Sequence, residues 1–115
     1  MKYMMFVCTD TAPDTDTAGW PDIEVWVAEN DARGRRLHGD RLAPTSAATT
    51  VRVREGELLV SDGPFAEVKE VIVGYDVLEC ADLDEAIEVA RAHPMARAGR
   101  LELRPFHVED AAPRD

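Results

Sequence analysis

The sequence predicts an α+β domain on a ferredoxin-like split βαβ plan with a β-hairpin extension, closed by a second copy of itself. Three observations carry this prediction. Lys2 to Cys8 and Val71 to Leu78 are apolar on both alternating faces, the pattern of central strands. Trp20 to Gly34 and Asp82 to Pro94 carry helix start signals followed by apolar residues at helical spacing. Between them, Thr49 to Arg54 and Glu57 to Val60 alternate about Glu55-Gly56, as a hairpin does. In the order strand, helix, hairpin, strand, helix, strand, two helices cover one sheet face. The other face still offers apolar side chains and finds no partner within the chain, so a two-fold homodimer with sheets face to face is the simplest closure.

In chain order, KYMMFVC at 2 to 8 sets Tyr3, Met5 and Val7 against Met4, Phe6 and Cys8. TDTAPDTDTAG at 9 to 19 is a loop of turn formers. Pro21, Asp22 and Glu24 suit a helix start, the acidic groups complementing the dipole; Ile23, Trp26, Val27 and Asn30 form the stripe, and Gly34 is the stop. Arg35 to Pro44 reads as irregular, with Leu37 and Leu42 as inward candidates. Asp62-Gly63-Pro64 is a turn: Asp bonds backbone ahead of it, Gly permits positive φ, and Pro fixes its own φ and biases Gly63 away from the α region. Phe65 directly after it pins the loop to the core. Asp82 caps the second helix and Glu85 reaches back, with Leu83, Ala86, Ile87 and Ala90 as its buried stripe and Pro94 as its end. RLELRPF at 100 to 106 is a strand with one wet face. Residues 1–106 thus make one domain and 107–115 a tail.

A chain of 115 residues has one modest core. A formal net charge of −10 repels phosphate backbones, which argues against direct contact with nucleic acid. Arg33, Arg35, Arg36 and Arg41 are a local basic cluster that reads either as a greeting for an anionic ligand or as solvated surface. No apolar run reaches 18 residues and MKYMMFVCTD lacks a signal-peptide plan, so the expectation is a cytoplasmic protein with no membrane contact. The two cysteines, Cys8 and Cys80, fall at the C-terminal ends of antiparallel neighbours, roughly 20 Å apart at about 3.3 Å per residue, and are expected to stay unpaired. No spacing suggests zinc, no glycine-rich phosphate loop appears, and no Ser, Cys or Thr has a nucleophile's setting, so metals and cofactors are expected to be absent.

Ser61-Asp62-Gly63-Pro64-Phe65-Ala66-Glu67, followed by Lys69-Glu70, resembles the signature of the DGPF branch of the YCII-related proteins. Ala48-Thr49-Thr50-Val51-Arg52 upstream and Asp82-Leu83-Asp84-Glu85-Ala86 downstream stand in that branch's order, and the likeness runs from Met1 to Phe106 with a departure at 9 to 34. The resemblance implies a dimeric α+β barrel of the YciI-like kind. It also implies two functional readings: an accessory or regulatory protein that binds a small molecule, of the sort encoded beside extracytoplasmic-function sigma factors, or a lyase- or isomerase-like enzyme using a carboxylate and His acid-base pair. The wider group's His lies in an Arg-Pro-x-His stretch of the first helix, whereas residues 20 to 34 hold no His. The group's Asp-Pro-aromatic after the second helix is here His93-Pro94-Met95. The group's own pair therefore does not carry over.

Substitute catalytic candidates are His38, Asp62 and Asp76. His38 lies beside Gly39, Asp40 and Arg41, where an imidazole next to a carboxylate makes a base near neutral pH or simply a surface loop residue. Asp76 interrupts an apolar strand, and a buried carboxylate needs a partner; Lys69 or a nearby arginine is the candidate, in a site or in a structural ion pair. Asp62 serves the turn or borders a ligand. Trp26, Phe65, Lys69, Tyr75 and His93 are candidate pocket residues, with core packing the alternative for Trp26 and helix capping for His93.

Overall fold

The computed structural model describes residues 1–16, 18–64 and 70–108. Its elements are β1 (Lys2–Cys8), α1 (Ile23–Ala32), β2 (Arg36–Arg41), β3 (Thr49–Arg54), β4 (Glu57–Asp62), β5 (Ile72–Glu79), α2 (Leu83–Arg91), α3 (Met95–Ala98) and β6 (Arg100–Pro105). The main sheet has the order β2-β5-β1-β6, all antiparallel, and β3 and β4 form a separate ribbon. That strand order is the ferredoxin-like split βαβ, with the ribbon inserted between its second and third strands.

One expectation is corrected here. Residues 36–41 are a sheet strand and not an irregular stretch, and Leu37 and Leu42 are about half exposed, not inward. β2 is an edge strand laddered to β5 alone, and its register shifts between Arg36 and His38, so alternation around Gly39 is broken.

The two longer helices, α1 and α2, are each started by a side chain. Asp22 accepts from the Glu24 amide at 2.8 Å and Asp82 from the Glu85 amide at 2.9 Å, while Glu85 returns a carboxylate oxygen to the Ala81 amide at 2.7 Å. Gly34, at φ 69°, takes the left-handed turn that ends α1. The buried face of α2 is Ala86, Val89 and Ala90; Leu83 and Ile87 are about half exposed, a rotation away from the predicted stripe. Ile23 on α1 is likewise exposed at 42%.

Tyr3, Met5 and Val7 of β1 and Leu78 of β5 meet Trp26, Ala86, Val89 and Ala90 to form the core on the helix side of the sheet. On the far side, Met4 faces Val77 and Phe6 faces Tyr75, all partly buried by their strand neighbours. Cys8 is paired with Ile72, while the Cys80 amide bonds the Met1 carbonyl at the other end of the strand, and both thiols are free and buried. Burial raises both thiols, which keeps them protonated and inert.

Candidate functional site

Asp76 sits in mid-β5 between Met5 of β1 and Gly39 of β2, on the face that carries the helices, and is 6% exposed. Arg36, at the start of β2, donates Nε to its Oδ1 at 2.7 Å, Nη1 to Asp31 Oδ1 at 3.0 Å and Nη2 to the Gly39 carbonyl at 3.1 Å. The guanidinium thus ties α1, β2 and β5 together. A Cβ at position 39 would stand 2.0 Å from Asp76 Oδ1 and 2.8 Å from Arg36 Nη2, so any larger residue here must displace the ion pair.

Burial pushes the Asp76 carboxyl above the usual carboxylate range, and its bond to Arg36 offsets this only in part. Burial pulls Arg36 down, but its bonds to Asp76 and Asp31 outweigh that and raise it. An isolated ion pair would move its members in opposite directions. Here both rise because the carboxylate is the more deeply buried, its side chain 8% exposed against 16% for Arg36, so desolvation decides its direction. Asp76 Oδ2 has no hydrogen-bond partner among the described residues.

His93 lies between α2 and α3 and is 4% exposed. Its Nδ1 accepts from the Met95 amide at 2.9 Å, and its ring meets the Trp26 ring edge to face at 4.6 Å and 71°. Trp26 is held in turn by its Nε1 donating to the Val89 carbonyl at 2.8 Å. Burial lowers His93 to about 4, so it is neutral at pH 7. With the Nδ1 lone pair taken, the proton resides on Nε2, which has no partner among the described residues.

Asp76 and His93 line one cavity of about 640 Å³, within the range of small-molecule pockets. Val7, Ile23, Val27, Leu42, Val73 and Met95 give it apolar walls, and Arg36 and Arg41 bring cationic groups. Arg41 has no ion pair among the described residues. The cavity therefore brings the carboxylates of Asp76 and Asp40, the neutral imidazole of His93 and the Arg41 cation together within an apolar surround.

The predicted site residues separate. Asp76, His93 and Tyr75 line the cavity, and Trp26 backs it through His93. The Tyr75 hydroxyl is nevertheless engaged by His38 Nδ1 at 2.7 Å, and His38 is exposed on β2 opposite Val77, so its imidazole belongs to the other sheet face. Asp62 is exposed at the end of β4, outside the cavity lining, and the turn after it is held by Gly63 at φ 83° and by Thr50 Oγ1 donating to the Gly63 carbonyl at 2.8 Å. Phe65 and Lys69 lie outside the described residues; the partner of Asp76 is Arg36. Arg36, Gly39 and Arg41 were not singled out as site residues, and their signal was the basic cluster at 33 to 41. The structure divides that cluster: Arg33 and Arg35 face Glu29, Arg36 is buried on Asp76, and Arg41 borders the cavity. Among the described residues no group of three or more His, Cys, Asp or Glu is placed to hold a metal ion, and no helix is long and apolar enough to cross a membrane.

A small α+β domain with a four-stranded antiparallel sheet, and one mainly apolar cavity between sheet and helices, is the class of protein these features define. The YCII-related domain matches residues 1–108, and the chain belongs to that family. It is also 48% identical over 68 residues to a protein of Rhizobium meliloti (strain 1021) described only as uncharacterized. That stretch is 57% of this chain and 55% of the relative, so the match spans about half of the relative's length.

Proposed function

We propose that this YCII-related protein is a homodimer of the DGPF branch that binds a small carboxylate-bearing molecule in the Asp76–His93 cavity, as an accessory or regulatory protein and not as an enzyme. The observation that carries this reading is the state of His93. A neutral imidazole whose Nδ1 is occupied and whose Nε2 bears the proton has a donor and no basic lone pair to offer where His93 lines the cavity. With its pKa at about 4, it is also far from the value that favours general acid or base work near neutral pH. Asp76, tied to Arg36, supplies an acceptor, and Arg41 suits a ligand carboxylate. The cytoplasm and an extracytoplasmic-function sigma factor as partner fit the resemblance of residues 61 to 70 to the DGPF signature.

A second reading, a lyase- or isomerase-like enzyme, is favoured by Asp76 and His93 lining the same cavity. It requires His93 to release its Met95 contact and gain a free lone pair on substrate binding.

Thermal melts against a panel of small hydroxy- and oxocarboxylates test the binding reading, because a ligand that binds only the folded form raises stability with RT ln(1 + [L]/Kd). The expected result is a shift with at least one carboxylate that is weakened about tenfold in ligand concentration in Arg41→Ala and unchanged in Asp62→Asn. Turnover of that compound, lost in His93→Gln, would replace binding by catalysis.

A further inference from the structure

The ribbon β3–β4 is the feature that the cavity leaves unexplained. Val51 stands opposite Val60 and Val53 opposite Leu58, so the four side chains share one face, and they are 62%, 59%, 57% and 63% exposed respectively. Thr50, Arg52, Arg54, Glu57 and Ser61 take the opposite, mainly polar face together with a half-buried Leu59. One apolar face set against a mainly polar one is how a half-buried hairpin is written, and a two-stranded ribbon alone is marginal in water. Among the described elements, the strands pack extensively only on each other.

We infer that β3–β4 is an intersubunit arm whose apolar face packs against a second copy of this chain. Three observations select that occupant. The tail at 109 to 115 offers only alanine and proline as apolar residues, so it cannot cover two valine–valine and valine–leucine pairs. A cover that an apolar ribbon needs whenever the chain is folded must be present at the chain's own concentration, and another copy always is. The main sheet also presents Met4, Phe6, Tyr75 and Val77 on its unpartnered face. A stable interface buries about 800 Å² per partner, whereas four half-exposed side chains contribute roughly half of that, so the ribbon and the sheet face together reach what either lacks. The ribbon's four side chains are uncharged, so they add no repulsion between two chains of net charge −10. The arm also connects dimer to cavity: Leu42, which lines the cavity, bonds its amide to the Val73 carbonyl at 2.9 Å just before the chain departs into β3.

This inference rests on the homodimer reading, and the test separates the two. Sedimentation velocity across a concentration series is measured for the wild type, V53E/L58E, Phe6→Glu and, as a charge-matched control on the ribbon's polar face, Arg54→Glu. The arm predicts at least a 100-fold weaker dimer for V53E/L58E and less than a threefold change for Arg54→Glu. Because a charged ribbon can simply fail to form, hydrogen exchange of residues 49–62 in the wild type is followed in parallel: protection in the dimer that is lost on dilution is expected. A dimer weakened by Phe6→Glu but not by V53E/L58E, with residues 49–62 exchanging rapidly at every concentration, overturns the arm and leaves the face-to-face dimer standing. A wild type that stays monomeric at high micromolar concentration overturns both.

Discussion

At the scale of single residues, the site is defined by what burial does to two ionisable groups. His93 falls from an ordinary imidazole value of 6.5 to about 4 on folding, so between those values the unfolded chain binds the extra proton. Its contribution to stability is therefore whole above about pH 6.5 and is lost as the pH falls towards 4. Urea melts should show roughly 1 to 2 kcal/mol less stability at pH 5 than at pH 7 from this group, and His93→Gln should flatten that difference. The Arg36–Asp76 pair makes a different prediction. Truncating one member, as in Arg36→Met, strands a buried charge and should cost about 3 to 5 kcal/mol in the same melts. Gly39→Ala attacks the pair sterically: its Cβ meets Asp76 Oδ1, and a loss of about 1 to 3 kcal/mol is expected even though alanine is the better residue for most backbones. A Gly39→Ala protein as stable as wild type would show that the carboxylate can sit elsewhere.

At the scale of elements, capping and periodicity translate directly into structure. Asp82→Ala should cost about 1 kcal/mol, because the Glu85 amide loses its acceptor, and denaturant melts measure it. β1, β5, β6, both long helices and the β3–β4 ribbon were legible in the chain because their apolar residues repeat at 2 or at 3.6. β2 was not. Its residues serve the site before the strand: Arg36 is placed to reach Asp76 and Asp31, Gly39 to leave room for the carboxylate, and an edge position lets Leu37 and Leu42 remain exposed. Asp76 announced itself as a polar interruption of an apolar strand, and His93 as a histidine on an apolar stripe. What could not be read was which arginine would meet the aspartate, since that depends on β2 lying beside β5. His38 shows the converse: adjacency to Asp40 suggested a base, but strand alternation sends it to the face away from the cavity. The α2 stripe erred for a related reason, since Leu83 and Ile87 carry the right chemistry but the helix turns Val89 inward.

At the scale of the whole molecule, the described residues contain a core, a cavity with convergent polar groups, and two faces whose apolar side chains no other described element packs over. The chain belongs to the YCII-related family, and its cavity chemistry is carried by residues at 36 to 41, 76 and 93. The central claim is that this cavity is where a small molecule binds, and amide and imidazole NMR of the ¹⁵N-labelled protein during titration with the carboxylate that raises the melting temperature tests it most directly. The account predicts that the largest shifts fall on Gly39, Arg41, Asp76 and Met95 and on the His93 Nε2–H, with His93 remaining neutral throughout. Shifts confined instead to His38, Phe6, Val77 and the rest of the open sheet face, with the His93 signals unmoved, would contradict it.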